Sequence, residues 1–160
     1  MEIEFSSDSD EPPQPWKQLA SLKSKLTAAL PSISSFQGFG EDYLCSIILT
    51  SDQRIMEINR EFRNKNNVTD VITFPFPQET MPGEPLAAEV YICQEQAGRQ
   101  AELHGNSIFE EFSLLLAHGL IHAIGIDHEN SELEKSQTLT LEKELLNLWG
   151  VQAPSLTTYG

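Results

Sequence analysis

The chain has 160 residues, 39% of them hydrophobic and 21% charged, and a net charge of −14. This is enough for one domain with its own core; it excludes wholesale disorder and two full-sized domains. No apolar run approaches the roughly 18 residues of a membrane span, and the negative balance disfavours nonspecific adhesion to nucleic acid or anionic lipid.

In chain order, MEIEF reads as a short first strand. The acidic N-terminus carries no apolar signal core, so the expected location is the cytoplasm. Residues 6–15 form a polar, Pro-rich turn. Trp16, Leu19, Leu22, Leu26 and Leu30 recur at three- and four-residue steps, one stripe of a helix that Pro31 stops. Tyr43 to Leu49 reads as a buried strand, Ile55, Ile58 and Phe62 as a helix stripe, and Val68 to Phe74 as another strand. The segment PFPQETMPGEPLA, with four prolines and a glycine, is a loop long enough to suggest function. Ala88 to Cys93 is a further strand. Two S-x-x-E capping boxes, Ser107 with Glu110 and Ser131 with Glu134, open two helices. The second is amphipathic through Leu141, Leu145 and Leu148 and ends at Gly150. The expected fold is α/β (α+β): one domain over residues 1–150, a small mixed four-stranded sheet packed by helices, with 151–160 a loose tail.

Two single-residue patterns stand out besides the periodicity. Cys45 and Cys93 lie far apart without metal-ligand spacing, which fits small buried side chains in a reducing compartment. Arg54, Arg60, Arg63 and Lys65 crowd into twelve positions. They form either a solvated helix face or one local positive patch on a negative protein.

The chemistry concentrates in His118-Gly119-Leu120-Ile121-His122-Ala123-Ile124-Gly125-Ile126-Asp127-His128, which holds three of the four histidines. On a helix, positions i and i+4 share one face, so His118 and His122 aim at one point. Gly125 permits a left-handed residue that ends the helix, and the chain then turns His128 back to the same point. Three neutral imidazoles with a fourth corner open to water make the layout of a catalytic zinc site on a zincin-like helix. Leu114 to Ile124 is apolar apart from the two histidines. Such a helix is buried, and unpaired imidazoles there would cost about 1–3 kcal/mol each. Asp127 either orients a ligand histidine or caps the turn. His104, outside the cluster, reads as a helix-end or surface residue. The spacing H-x-x-x-H-x-x-G-x-x-H is that of the metzincin proteases, but Gly119 stands where those enzymes carry their glutamate base.

The motif H-G-x-x-H-x-x-G-x-D-H resembles the signature of the YbeY family of bacterial metal-dependent endoribonucleases. A second block, Asn59, Phe62-Arg63, Lys65 and Thr69-Asp70-Val71-Ile72-Thr73-Phe74-Pro75, is similar to that family's N-x-x-[YF]-R-x-K-x-x-x-T-D-V-L-S-F-P. The likeness runs from about Leu44 to Leu148. It implies zinc, one ion per chain, on His118, His122 and His128. It also implies cleavage of single-stranded RNA, with roles in 16S rRNA 3′-end maturation and ribosome quality control, and ribosomal RNA and the ribosome or small subunit as partners. Arg63, at the family's arginine position, is then expected to hold the scissile phosphate as a catalytic and substrate-binding residue, with Lys65 beside it. Two departures matter: Ala88-Glu89 replaces the family's Gly-Asp, leaving the general base open, and Thr73 replaces its serine. Asp70 either serves the site or orders a turn. The rival readings are a ribosome-assembly factor with a structural zinc and a metal-dependent amide hydrolase.

Overall fold

The computed structural model describes residues 1–8, 17–18, 23–127 and 131–152. Four strands, β1 (Glu2–Ser7), β2 (Leu44–Thr50), β3 (Val71–Phe74) and β4 (Ala87–Cys93), form one sheet in the order β1-β2-β4-β3. β1, β2 and β4 run parallel, and β3 pairs antiparallel with β4 at an edge. The helices are α1 (Lys23–Ala29), α2 (Asp52–Arg63), α3 (Gln94–His104), α4 (Ile108–Ala123) and α5 (Glu132–Trp149), with two 3-10 turns at Leu30–Ser32 and Ser34–Phe36. This is the mixed four-stranded α/β domain that the sequence predicts, and no described helix is long and apolar enough to cross a membrane.

Strand side chains alternate between faces, and the register shows which residues share one. Ile3, Cys45 and Ala88 align, as do Phe5, Ile47, Val90 and Thr73. This face is covered by α4, in which every residue from Glu111 to Ile121 is buried. In turn α4 is flanked by α3 and α5. On the opposite face Ile72 and Cys93, with Phe74 and Tyr91, pack against Ile55 and Ile58 of α2. Gly119 is where α4 meets the sheet: a Cβ there would overlap Cγ1 of Val90, so only glycine lets the backbone come this close.

Several local expectations change. α3 was not legible, because its buried apolar positions are two alanines, Ala97 and Ala101, which leave little hydrophobic signal among glutamines and charges. In α5 the buried row is Leu141, Leu145 and Trp149, with Leu146, whereas Leu148 is exposed. The i+4 row faces α4 and the i+3 position rotates off it. In α2, Ile55 and Ile58 are buried, but Phe62 in the last turn is 60% exposed. Its ring leans edge-on against Phe74, centroids 5.1 Å apart, at the end of the short edge strand. Leu26 and Leu30 are buried as the N-terminal stripe requires; Trp16, Leu19, Leu22 and most of the 6–15 turn lie outside the described residues, although Ser6 and Ser7 belong to β1. Pro31 sits inside a 3-10 turn that follows α1, so helical turns do not stop at it. The tail is held at its start: Val151 is buried and its N–H donates to Leu146 O at 2.9 Å. Residues 153–160 lie outside the described residues.

Candidate functional site

The site is built on α4, whose start is set by the Ser107 box. Ser107 Oγ accepts from Glu110 N–H at 3.1 Å, and the Glu110 carboxylate accepts from Ser107 N–H at 2.7 Å. At Ser131, which opens α5, the serine half is formed, with Oγ accepting from Glu134 N–H at 3.1 Å. Three turns into α4, His118 and His122 face the same way, their ring centroids 4.5 Å apart at 41°. His118 is buried and its Nδ1 lies 2.8 Å from Oε1 of Glu142 on α5. A carboxylate accepts, so Nδ1–H of His118 donates to Glu142. His122 is partly exposed. Gly125, at φ +96°, then turns the chain, with its N–H donating to His122 O at 2.9 Å. Asp127 is half-buried just past this turn. His128 lies outside the described residues, and among the described ones no three His, Cys, Asp or Glu side chains form a metal-sized group.

Zinc fits the pair that is described. Two imidazoles share a face, and one has its outer nitrogen fixed by a buried carboxylate, the arrangement that orients a ligand histidine and raises its basicity. Glu142 was not legible as a site residue. It lies twenty-four residues from His118 within an ordinary Leu- and Glu-rich helix, and only the packing of α5 on α4 brings it there.

Edge strand β3 runs beside the histidine helix. Asp70, just before it, is buried; its Oδ1 accepts from Val71 N–H at 2.7 Å and its Oδ2 from Gln100 Nε2 at 3.2 Å. Burial pushes the Asp70 carboxyl above its usual range, while those hydrogen bonds and the field of His118 pull it back. Asp70 thus ties β3 to α3 within electrostatic reach of His118. Just past β3, Phe76 N–H donates to Ala123 O at 2.9 Å, fixing the proline loop to the end of α4.

The remaining candidates separate. Arg63 and Lys65 are exposed at the C-terminal end of α2, on the sheet face opposite α4. The structure does not bring Arg63 into contact with His118 or His122. Within the basic cluster Arg54 pairs with Glu57 at 3.4 Å, while Arg60, Arg63 and Lys65 have no ion-pair partner among the described residues. Glu89 is also turned from the imidazoles: it is exposed on the α2 face and accepts a hydrogen bond from Tyr91 Oη. Thr73 shares the α4 face with Val90. His104 is the last residue of α3, partly buried, with Nδ1 3.5 Å from the fully buried Glu111, which also accepts from Asn106 Nδ2 at 3.0 Å. It is thus a helix-end residue, tied to the interior.

Fold and site together define a small α/β domain presenting two imidazoles from one buried helix beside an edge strand. A family model described as Endoribonuclease YbeY matches residues 11–150, and the chain belongs to that family. Curated relatives carrying the same name include one from Nautilia profundicola, 43% identical over 104 residues, 64% of this chain and 71% of that one. One from Thermodesulfovibrio yellowstonii is 34% identical over 104 residues, 65% of each chain, so the match spans slightly less than two thirds of that relative. The solution structure of a Thermotoga maritima protein superposes with a TM-score of 0.60 at 27% identity, covering 92% of this chain and 91% of that one.

Proposed function

We propose that the chain is a zinc-dependent endoribonuclease that cleaves single-stranded RNA in the cytoplasm, acting in 16S rRNA 3′-end maturation and ribosome quality control. The observation that carries this reading is the His118–His122 pair on one face of α4, with the buried His118 fixed by Glu142, in a chain of the endoribonuclease YbeY family. His118, His122 and His128 would hold one zinc ion, which when bound supplies a Lewis acid and lowers the pKa of water.

The chain's own residues do the rest. Glu142 accepts a hydrogen bond from Nδ1–H of His118, which orients the imidazole so that Nε2 would be its zinc-binding nitrogen. The apolar walls of α4 exclude water from behind the imidazoles. Arg63 binds a phosphate through its planar fork, and Lys65 adds a second positive charge on the RNA path. Gly119 carries no side chain, and its Cβ direction is filled by Val90, so a glutamate base of the metzincin kind has no place on this helix. That weighs against amide hydrolysis.

Cleavage of a 3′-labelled single-stranded RNA, before and after chelation and with zinc restored, tests the reading. Internal cuts that vanish with chelator, return with zinc and are absent on the same sequence in a duplex are the expected result. Cleavage indifferent to chelator would overturn zinc dependence.

A further inference from the structure

We infer that Phe62 is a stacking platform for an unpaired base of the RNA, so that the α2 face reads single-strandedness while the α4 face carries the chemistry. This rests on the endoribonuclease reading above and adds a base-binding site to it.

Phe62 is a large aromatic side chain left 60% exposed on an otherwise amphipathic helix. It is not a stray surface residue. Its ring meets Phe74 at 5.1 Å and 78°, and Phe74 meets Tyr91 at 6.0 Å and 86°. Each contact is edge-to-face, so the inner rings hold Phe62 in place while much of it stays open to solvent. Holding the ring in advance lowers the entropy lost when a second flat group stacks on it.

The surroundings select the partner. Arg63 follows directly and Lys65 lies two residues beyond it, while Arg60, two residues before Phe62, projects from the other side of the helix. Arg63 and Lys65 are exposed and without an ion-pair partner among the described residues, in a chain of net charge −14. Glu61 lies in the same turn and narrows the positive field to the Arg63 side. A flat apolar ring flanked by unpaired cations matches a ligand that alternates flat bases with negative phosphates. It matches a base only when that base is unstacked, since a duplex hides its faces. Phe74 also connects the platform to the candidate site: β3 begins beside Asp70, within reach of His118, and is followed by Phe76, bonded to the end of α4. An RNA strand crossing this edge would meet both.

The test is binding of two fluorescein-labelled probes, oligoadenylate 12-mer RNA and an abasic 12-mer with the same ribose-phosphate backbone, measured by anisotropy over a salt series. Phe62→Ala should weaken oligoadenylate binding about 5- to 100-fold and leave abasic binding unchanged. Phe62→Leu should behave like alanine and Phe62→Trp should retain affinity, which separates a flat ring from mere apolar bulk. The slope of log K against log salt should be unaltered by Phe62→Ala, whereas Lys65→Ala should reduce it by about 0.7. Equal loss on both probes would show that Phe62 acts through the fold and would overturn the proposal. So would equal binding by wild type and Phe62→Ala, which would leave the exposed ring for a protein partner. If wild type binds neither probe, the endoribonuclease reading itself fails, a result distinct from the other two.

Discussion

The two faces of the sheet are built to different standards. On one, α4 is buried for eleven consecutive positions, closed in by α3 and α5, and seated on Val90 through a glycine whose Cβ position the Val90 side chain already fills. On the other, α2 buries two isoleucines and an asparagine and leaves its last turn, with Phe62 and Arg63, in solvent. A metal needs ligands fixed to a fraction of an ångström, which dense packing provides. A flexible polyanion needs accessible charges and a flat surface, which an open helix end provides. On the proposed function, the difference implies that the metal-holding and the RNA-binding groups can be perturbed separately, and each prediction tests that separation.

The largest expected effect comes from the open face. Arg63→Ala should lower cleavage at subsaturating RNA by up to about two orders of magnitude, through loss of a charge-assisted phosphate contact, with zinc content and melting temperature near wild type. Lysine at that position should recover only part, since an ammonium cannot make the bidentate contact. Loss of zinc or of folding in Arg63→Ala would break the division between faces.

On the closed face, Glu142→Ala should weaken zinc about 10- to 100-fold, measured by competition with a chromogenic chelator. Glu142→Gln should lose less, because its amide oxygen still accepts from Nδ1. Unchanged affinity in both would detach Glu142 from the site.

Packing should show next. Gly119→Ala should cost about 1–3 kcal/mol by overpacking, read by urea denaturation, and Val90→Ala in the same chain should restore part of it. Additive losses would mean that the two positions do not share the space between α4 and β4.

The last prediction sharpens the comparison with one thiol on each face. Burial pushes both Cys45, on the α4 side, and Cys93, on the α2 side, up to about 12. Both folded values exceed the ordinary 9.0 of an unfolded thiol, so between pH 9 and 12 the unfolded chain releases protons that the folded chain retains. Stability should therefore be unaffected by these groups below pH 9 and fall through that window. At pH 8, Cys93 should react with a thiol reagent before Cys45, because the thinner α2 layer opens locally at lower cost. The reverse order would invert the ranking of the faces.

How much of this the sequence discloses follows from where each signal resides. His118 and His122 stand out because their partnership is local, one helical turn on an apolar helix, and the strands are legible because alternation is local too. Glu142 and Asp70 acquire their settings only from tertiary packing: one carboxylate reaches a histidine from another helix, the other joins β3 to α3. α3 escapes notice because alanines bury little area, and the exposure of Phe62 does too, because helical spacing sets it in the stripe of Ile55 and Ile58 and cannot show that the edge strand beneath it ends. Glu89 illustrates the converse: it stands where the resembled family has an aspartate, which left the general base open, and strand alternation turns it to the face away from α4.

The most direct test of the central claim measures zinc and RNA cleavage on the same preparations of wild type and His122→Ala. The account predicts one zinc per wild-type chain with cleavage of single-stranded RNA, and loss of both together in a variant that remains folded by circular dichroism. A folded His122→Ala chain that still cleaves at the wild-type rate would contradict it.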